Sequence, residues 1–313
     1  MTCCASCGKS ELDDVKLKPC DDCDLLRYCS DACDQDHRPE HEAICKVRAA
    51  ELRDEILFKQ PESSHHGDCP ICCLPLPIEH EKSSLYSCCS KIICDGCSHA
   101  DVARQARQNI KVQKCPFCRH LLTKTDEETN RKLMKRVAAN DPVALGEMGV
   151  RHMFREEYDA AIECYARAID LGNVDAHYNL SILYSQGQGV EKDKEKELYH
   201  LEEAAIAGHP HARFNLGCHE ESNGEIKRAV KHFIIAANLG YDRSIKTLKE
   251  YYRGGYIEKE DFAAALRAHH AAVDATKSPQ RKAAANAKFW QRDHRTLGRE
   301  MEPTLKRFHS NVT

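Results

Sequence analysis

The cysteines of this chain are concentrated in its first third and are grouped in closely spaced pairs. Of 19 cysteines in 313 residues, 17 lie at or before Cys118, and only Cys164 and Cys218 lie beyond it. In a reducing compartment, clustered cysteines bind metal or act in redox chemistry more often than they form disulfides. The longer segments with helical apolar periodicity all follow the cysteine-rich part. The chain therefore divides into a cysteine-rich front and a helix-prone back, in which Cys164 and Cys218 are interpreted as small core residues.

The first group of pairs, between residues 4 and 45, has the spacing of zinc ligands. Its eight members are Cys4, Cys7, Cys20, Cys23, Cys29, Cys33, His41 and Cys45. A gap of two residues lets both thiolates of a tight turn reach one ion, and a gap of three places two ligands one helical turn apart. Eight ligands suffice for two tetrahedral zinc sites, and metal binding would drive the folding of so small a lobe. A set of buried free cysteines is the alternative, but it does not account for four regular pairs.

These residues resemble the MYND-type zinc finger, including Tyr28 before Cys29 and His41 eight positions after Cys33. The resemblance implies that the pairs interleave. One zinc would be held by Cys4, Cys7, Cys29 and Cys33, and the other by Cys20, Cys23, His41 and Cys45. MYND fingers are protein-binding modules that often bind short proline-containing peptides. This chain has Asp34 and Arg38 where the family usually has Gln and Trp.

The second group of pairs lies between residues 69 and 118 and again offers ligands for two zinc ions. Its eight members are Cys69, Cys72, Cys88, Cys89, Cys94, Cys97, Cys115 and Cys118. His65 and His66 precede this complete set, and we interpret them as residues of a polar linker, 61–68. Cys73 is a surplus thiol. Cys88 and Cys89 can both reach one ion only if a tight turn forms there, because an extended backbone points neighbouring side chains to opposite faces.

This second group resembles a RING finger, in the variant whose eight ligands are all cysteine. The cross-brace pattern of that family implies one site from Cys69, Cys72, Cys94 and Cys97, and another from Cys88, Cys89, Cys115 and Cys118. RING fingers are ubiquitin-protein ligases without a nucleophile of their own, and they position a ubiquitin-charged conjugating enzyme.

Three further residues match the positions at which active RING fingers contact the conjugating enzyme: Ile71, Pro116 and Arg119. Ile71 lies between the first two ligands, Pro116 follows the seventh and Arg119 follows the eighth. The stretch 98–114 lacks the aromatic residue that many active members place on their central helix. Val102 or Ile110 would have to take its place. Each of these residues also has a purely structural interpretation. Ile71 and Pro116 would then only shape the turns, and Arg119 would be a solvated charge.

From Asn140 onward the sequence repeats itself. Stretches beginning at Ala144, Ala176, Ala212 and Ser244 are spaced by 32, 36 and 32 residues. Gly172, Gly208 and Gly240 mark matching helix ends, where glycine provides a left-handed C-cap. Helix–turn–helix units that stack on one another share a continuous core.

Four such units, roughly 141–276, resemble Sel1-like repeats, relatives of tetratricopeptide repeats that usually bind other proteins. The stretch 185–208 carries the glycine-rich turn, acidic residue and alanine pair of that family. Five tyrosines are candidates for an inner binding groove, although most are expected in the core: Tyr158, Tyr165, Tyr178, Tyr184 and Tyr199.

Charge and hydropathy narrow the range of partners. The net charge is −3, and residues 1–60 contain 14 acidic against 9 basic residues, which disfavours nucleic-acid binding. No apolar run approaches the roughly 18 residues of a membrane span, and the first residues do not resemble a signal peptide. We expect a cytoplasmic or nuclear protein without membrane partners. Segment 277–313, with nine basic and three acidic residues, is expected to be a solvated helix or flexible tail, with Trp290 as a candidate cap of the solenoid.

The sequence thus predicts a mostly α multidomain protein with two small zinc-stabilised lobes followed by an α-solenoid of helix–turn–helix repeats. The predicted segments are a MYND-type finger with a following helix (1–60), a linker (61–68), a RING-type finger (69–119), a bridging helix opening at Thr125 or Asp126 (120–140), four Sel1-like repeats (141–276) and a basic tail (277–313). No catalytic residue and no cofactor other than four zinc ions is predicted. The leading hypothesis is a RING-type ubiquitin ligase whose partners are a conjugating enzyme and client proteins. The alternative is a non-catalytic adaptor.

Overall fold

A computed structural model describes residues 3–10, 16–110 and 112–287. The chain divides into two compact units, residues 1–59 and residues 60–313. The expected class is confirmed: small cysteine-rich lobes are followed by paired helices in a repeating arrangement. Trp290 and the tail after residue 287 lie outside the described residues.

The first unit consists of a two-stranded sheet and one long helix. Strands β1 (Lys18–Pro19) and β2 (Arg27–Tyr28) pair antiparallel, with Lys18 opposite Tyr28. Helix α1 spans Asp31–Leu57. The small core consists of Leu17, Tyr28 and cysteine side chains.

Helix α1 is longer than the predicted helix that follows the MYND-type finger, because it already includes Cys33, His41 and Cys45. The side chain of Ser30 accepts a hydrogen bond from the backbone N–H of Cys33, and Asp31 and Asp34 lie in the first turn. Both features stabilise a helix N-terminus. Pro39 lies inside the helix, although proline removes a backbone donor there and normally interrupts a helix. Because of Pro39, the sequence pattern does not predict the first two turns of α1.

The second unit opens with a hairpin and a helix. A 3-10 helix (His80–Lys82) precedes strands β3 (Ser83–Tyr86) and β4 (Lys91–Cys94), which pair antiparallel with Tyr86 opposite Lys91. Helix α2 spans Asp95–Arg107. Leu76 and Ile93 are buried with Cys69 and Cys94 between these elements.

A helix joins this lobe to the repeats. Helix α3 spans Asp126–Ala138, and the Thr125 side chain caps it by accepting a hydrogen bond from the backbone N–H of Glu128. Three acidic residues in the first turn favour this N-terminus further. The predicted opening at Thr125 or Asp126 is confirmed.

Eight helices then follow in four consecutive pairs. They are α4 (Pro142–Phe154), α5 (Tyr158–Asp170), α6 (Val174–Gln186), α7 (Lys194–Ile206), α8 (Pro210–Ser222), α9 (Ile226–Asn238), α10 (Asp242–Arg253) and α11 (Lys259–Ala275). Ala144, Ala176, Ala212 and Ser244 are each the third residue of the first helix of a pair, and all four are fully buried. After the second helices, Gly172, Gly208 and Gly240 have φ values of 83°, 86° and 93°. The repeat register read from the sequence is therefore confirmed.

In two of the pairs, an aromatic ring packs on a glycine of the partner helix. Tyr165 of α5 lies on Gly149 of α4, and Phe233 of α9 lies on Gly217 of α8. Both rings are fully buried. Because glycine has no Cβ, the helix backbones approach closely at these two points. Among the other tyrosines, Tyr199 is 54% exposed, and Tyr158, Tyr178 and Tyr184 are half-buried.

The start of the predicted basic tail folds back on the second lobe. Helix α12 (Pro279–Asn286) packs against α2 and buries Ala284, although most of its residues are exposed, as expected of a solvated helix. A Cβ at Gly96 would lie 2.7 Å from both the Cγ and the backbone nitrogen of Arg281. The absence of a side chain at Gly96 therefore makes room for α12. The excess of basic residues in segment 277–313 does not indicate this contact.

Candidate metal centres

One backbone turn recurs at four places in the cysteine-rich lobes. In each case the first cysteine of a Cys-x2-Cys pair accepts a hydrogen bond from the backbone N–H four residues later, at 2.9–3.0 Å. The residue that donates this bond has a left-handed backbone with φ between 53° and 74°. These four residues are Gly8, Asp24, Cys73 and Arg119. The turn directs both thiols of its pair to one side, and it explains the surplus cysteine: Cys73 occupies the left-handed position.

The second half of each ligand set comes from a helix or a hairpin. Cys29 and Cys33 flank the N-terminal cap of α1, and His41 and Cys45 lie one turn apart further along this helix. Cys94 occupies the N-cap position of α2 without a capping hydrogen bond from its side chain, and Cys97 lies in the first turn.

The folded chain brings together the four predicted sets, each with ligand atoms within 4.8 Å of one another. The sets are Cys4, Cys7, Cys29 and Cys33; Cys20, Cys23, His41 and Cys45; Cys69, Cys72, Cys94 and Cys97; and Cys88, Cys89, Cys115 and Cys118. The shorter Sγ–Sγ separations within the sets include 3.3 Å for Cys88–Cys118 and 3.8 Å for Cys72–Cys94. Thiolates bound to one tetrahedral zinc at about 2.3 Å lie about 3.8 Å apart, whereas a disulfide requires about 2.05 Å. The donor sets therefore fit zinc.

The Cys88–Cys89 doublet lies in the tight turn that two adjacent ligands require. The backbone N–H groups of Cys89 and Ser90 both donate to the carbonyl of Tyr86, at 3.1 and 2.8 Å. Ser90 is left-handed, with φ 52°. This turn connects β3 to β4 and brings both thiols towards Cys115 and Cys118.

His41 is positioned as a ligand by its neighbours. Its Nε2 lies 3.6 Å from the Sγ of Cys20, while its Nδ1 lies 3.3 Å from the carbonyl of His37 and 3.1 Å from the hydroxyl of Tyr28. An Nδ1–H that donates to the carbonyl leaves the Nε2 lone pair for the metal. His37 itself bonds to Tyr28 at 3.1 Å. Burial and the nearby Cys20 thiolate raise the pKa of Tyr28 to about 12, so this hydroxyl remains protonated.

The thiols of one cluster differ in acidity. Burial raises the pKa of Cys4, but hydrogen bonds from the backbone at Cys7 and Cys29 outweigh burial and lower it to about 6. Hydrogen bonds to Cys7 and Cys33 raise the pKa of Cys29 to about 12. Burial likewise raises the pKa of Cys118, but hydrogen bonding to the backbone of His120 lowers it to about 6. In a metal-free cluster, one cysteine therefore ionises readily, and a second one ionises only at a much higher pH. The thiols that remain protonated at neutral pH must lose their protons to bind the ion, so zinc binding releases protons.

The three residues that the RING resemblance singles out differ in accessibility. Ile71 is 42% exposed, and the Arg119 side chain is 56% exposed. Pro116 is buried, whereas its neighbour Phe117 is 45% exposed. Ile110 is 37% exposed and Val102 is half-buried. The accessible apolar side chain after the seventh cysteine is therefore Phe117, which the motif comparison did not select.

A polar network on α2 surrounds Arg119. Its guanidinium donates to Asp101 Oδ1 at 3.0 Å, and Arg104 donates to the same oxygen at 2.6 Å. Burial raises the pKa of Asp101, but these two hydrogen bonds outweigh it and lower the pKa. Gln105, which is also buried, bonds both to Asp101 and to the backbone of Lys114. Arg119 is thus part of an ion pair, while its side chain remains more than half exposed.

Two histidines assigned to the linker from the sequence belong to a further group of ligand-type residues. His65 and His66 lie near Asp175, again with ligand atoms within 4.8 Å of one another. The His65 side chain is only 3% exposed. His65 therefore has a buried side chain within the connecting segment, because this segment packs against the repeats. The adjacent histidines were the only indication of this group in the sequence, because the third member, Asp175, lies 110 positions after His65.

Comparison with known proteins identifies two parts of the chain. The MYND finger family matches residues 4–45. The Sel1 repeat family matches residues 145–173, 174–209 and 210–241. No curated protein matches the chain significantly.

Two solved structures are similar to the repeats. A Sel1 repeat protein from Oxalobacter formigenes is 26% identical, with 39% of this chain and 97% of that chain covered and a TM-score of 0.35. A protective antigen of uropathogenic Escherichia coli strains, described as displaying an SLR fold, is 22% identical, with 47% and 34% covered and a TM-score of 0.40. The chain thus spans about a third of the second protein.

Within the described residues, no helix combines the length and apolar character needed to cross a membrane. The family matches agree with the helix pairs and with the first two cysteine clusters. The chain therefore carries a MYND finger in residues 4–45 and Sel1 repeats between residues 145 and 241.

Proposed function

We propose that this protein is a zinc-dependent interaction scaffold whose second cysteine lobe acts as a RING-type ubiquitin-protein ligase. The observation that carries the proposal is a complete eight-cysteine frame that presents an exposed Ile71 and an exposed Arg119. The proposed partners are a ubiquitin-conjugating enzyme at this lobe and client proteins at the Sel1 repeats and the MYND finger. The proposal includes a reducing compartment, the cytoplasm or nucleus, because the thiols must stay available for zinc.

In this proposal four zinc ions are held by the sixteen residues of the four sets. Zinc supplies structural cross-links there, because four protein ligands close the coordination sphere. The backbone turns bring two thiols of each set together, and the helices and the β3–β4 hairpin supply the other two ligands. Removing one ligand would break the lobe by leaving the ion incompletely coordinated.

The lobe itself would accelerate ubiquitin transfer by positioning. Ile71 would pack against the conjugating enzyme, and the Arg119 guanidinium would hydrogen-bond the enzyme and ubiquitin together. Holding a thioester in one reactive pose removes orientational freedom that the reaction would otherwise have to lose. Phe117, beside the buried Pro116, offers a second exposed apolar contact on the same lobe.

A non-catalytic adaptor is the second candidate, and one observation favours it. The Arg119 guanidinium is already paired with Asp101 at 3.0 Å. Binding a conjugating enzyme through Arg119 would have to compete with this ion pair. An adaptor would use the same zinc lobes only as binding surfaces.

The test is self-ubiquitination of the full chain with activating enzyme, ubiquitin and a panel of conjugating enzymes. Ile71→Ala should lower the rate about tenfold, since truncation of an exposed contact residue costs on the order of 1–2 kcal/mol. Met134→Ala, which truncates a side chain 62% exposed on α3, is the matched control and should leave the rate unchanged.

Arg119 allows a test that separates its side chain from its backbone. Arg119→Gly removes the guanidinium but suits the left-handed backbone, so the lobe should stay folded while the rate falls roughly tenfold or more, because a charge-assisted hydrogen bond is lost. Cys73→Gly makes the same change at the equivalent position of the other turn, where φ is 53°. Equal rates for both glycine variants, or no activity with any conjugating enzyme while zinc is retained, would refute the ligase and favour the adaptor.

A further inference from the structure

A histidine-rich group lies outside the cysteine clusters, where the segment before Cys69 meets helix α6. His65 Nε2 lies 2.8 Å from Asp175 Oδ1. The ring centroids of His65 and His66 are 3.9 Å apart. Each of His65, His66 and Asp175 offers one ligand atom, and these atoms lie within 4.8 Å of one another. Because 110 positions separate His65 from Asp175, the group exists only in the folded chain.

The backbone fixes the position of this segment. The N–H of His65 donates to the carbonyl of Gly208 at the end of α7, at 3.2 Å. Gly208 is left-handed, and a Cβ there would lie 2.7 Å from the carbonyl oxygen of Ser63. The two histidines are thus held against the repeats by main-chain contacts before any side chain is considered.

One buried nitrogen in this group has no hydrogen-bond partner among the described atoms. It is Nδ1 of His65, in a side chain that is only 3% exposed. The other ring nitrogen, Nε2, faces the Asp175 carboxylate, so an ion shared by His65 and Asp175 would take the place of the hydrogen at Nε2. With the ion at Nε2, the hydrogen of the neutral ring would lie on Nδ1, and a buried water would satisfy this N–H, since a buried polar atom without a partner is unfavourable.

His209 serves a different purpose. Its Nδ1 accepts the backbone N–H of Ala212 at 3.2 Å and so caps α8. In the neutral ring this requires the hydrogen on Nε2, which lies 3.5 Å from Asp175 Oδ1. His209 therefore has no lone pair left for an ion, and it orients the carboxylate from the second side.

The charges of the group suit a cation. Burial and the neighbouring His65 lower the pKa of His66 to about 3. Burial tends to raise the pKa of Asp175, but hydrogen bonds with His209 and His65 outweigh it and lower the pKa well below its ordinary value. At neutral pH the His66 imidazole is uncharged and the carboxylate is ionised, as metal binding requires.

We propose that His65, His66 and Asp175 form an additional metal site that binds one divalent transition-metal ion, with Zn2+ as the ion to be tested. Two imidazoles and one carboxylate are a donor set that zinc accepts, with a fourth position left for water. The ion would join the segment that precedes the second cysteine lobe to helix α6. This proposal does not depend on ligase activity, because it concerns different residues and a different measurement.

The test measures metal bound per full-length chain during titration with Zn2+ and with a chelator. Wild type should bind one more zinc per chain than His65→Ala or Asp175→Asn, and this extra ion should be the first removed because no thiolate holds it. Asp175→Asn keeps the shape of the side chain, so it guards against misfolding. His270→Ala, which removes an exposed histidine of α11, should behave as wild type.

Substitution with Co2+ adds a spectroscopic readout. The extra ion should contribute d–d absorption without a thiolate charge-transfer band, and only the d–d contribution should fall in Asp175→Asn. Equal metal binding by wild type, Asp175→Asn and His270→Ala would overturn the proposal and leave a hydrogen-bonded cluster satisfied by a buried water. Loss of the extra ion from His270→Ala as well would also overturn it, as adventitious binding to histidines.

Discussion

Gly217→Ala should destabilise the α8–α9 repeat, although alanine is the better helix former. A Cβ at Gly217 would lie 2.5 Å from Cε1 and 2.8 Å from Cδ1 of Phe233. The Phe233 ring is fully buried, so it cannot move into solvent to make room. The new methyl group must push the ring or separate the two helices by roughly 1 Å, the difference between these distances and ordinary carbon contacts.

The magnitude follows from two opposing effects. Overpacking of a tight core costs about 1–3 kcal/mol, and replacing glycine by alanine inside a helix returns about 1 kcal/mol. We expect a net destabilisation of about 1 kcal/mol. In a Phe233→Ala background, which by itself costs about 3–5 kcal/mol, the clash is absent and only the helix-propensity gain remains. There Gly217→Ala should stabilise by about 1 kcal/mol.

Amide hydrogen exchange in α8 and α9 of the full-length chain is the suitable assay. It reports local opening free energies, whereas global unfolding of a chain with several units is not a two-state process. Gly149 and Tyr165 occupy the same positions in α4 and α5, with a Cβ-to-ring distance of 2.5 Å, and should show the same reversal of sign. If Gly217→Ala stabilised the repeat in both backgrounds, the close approach would not be a constraint and the reasoning would be wrong.

Two further predictions concern the zinc lobes. Because a proton competes with zinc for each thiolate, and even Cys4 and Cys118, with pKa values of about 6 in the metal-free lobes, bind protons below that pH, the affinity for zinc should fall more steeply as the pH drops below about 6. A zinc affinity that stays the same between neutral pH and about pH 5 would contradict the assignment. Arg281→Ala removes hydrogen bonds to the carbonyls of Pro75 at 2.6 Å and Leu74 at 3.2 Å. It should speed amide exchange in α12 and in residues 69–75 by an amount that corresponds to about 1–3 kcal/mol, while truncation of its exposed neighbour in Lys282→Ala should not; equal exchange in both variants would show that α12 is held by other contacts.

The sequence alone was sufficient for features that local spacing encodes. A Cys-x2-Cys turn closes within five residues, so the pairs can be read directly, and the MYND and RING resemblances supplied the interleaving between pairs. The register of the repeats could also be read from the sequence. Later units have a small buried residue at the position of Ala144, and those with a terminal glycine have it in the left-handed conformation of Gly172. In these cases the residue type itself indicates the constraint. A small residue such as Ala144 indicates that there is no room for a larger side chain, and a glycine such as Gly172 indicates a positive φ.

Features that depend on distant partners could not be predicted. The burial of His65 requires Asp175, and the position of α12 requires Gly96. Neither pair is related by helical or strand periodicity, so no local pattern marks it. The pairing of Arg119 with Asp101 is of the same kind: each charge alone looks like an ordinary surface residue, and only the fold of the lobe brings the two together.

The contact between α12 and the second lobe has a consequence for the order of events on the ribosome. Arg281 and Cys72 are 209 positions apart, so at 5–20 residues per second the lobe is synthesised roughly 10–40 s before its partner helix. During that interval the carbonyls of Leu74 and Pro75 lack the guanidinium, and the surface around Gly96 is uncovered. A chain that stops anywhere within the repeats would keep this surface open for its whole lifetime. The second cysteine lobe should therefore be more stable in a chain that includes Arg281 than in a chain truncated within the repeats, although the lobe itself is synthesised much earlier.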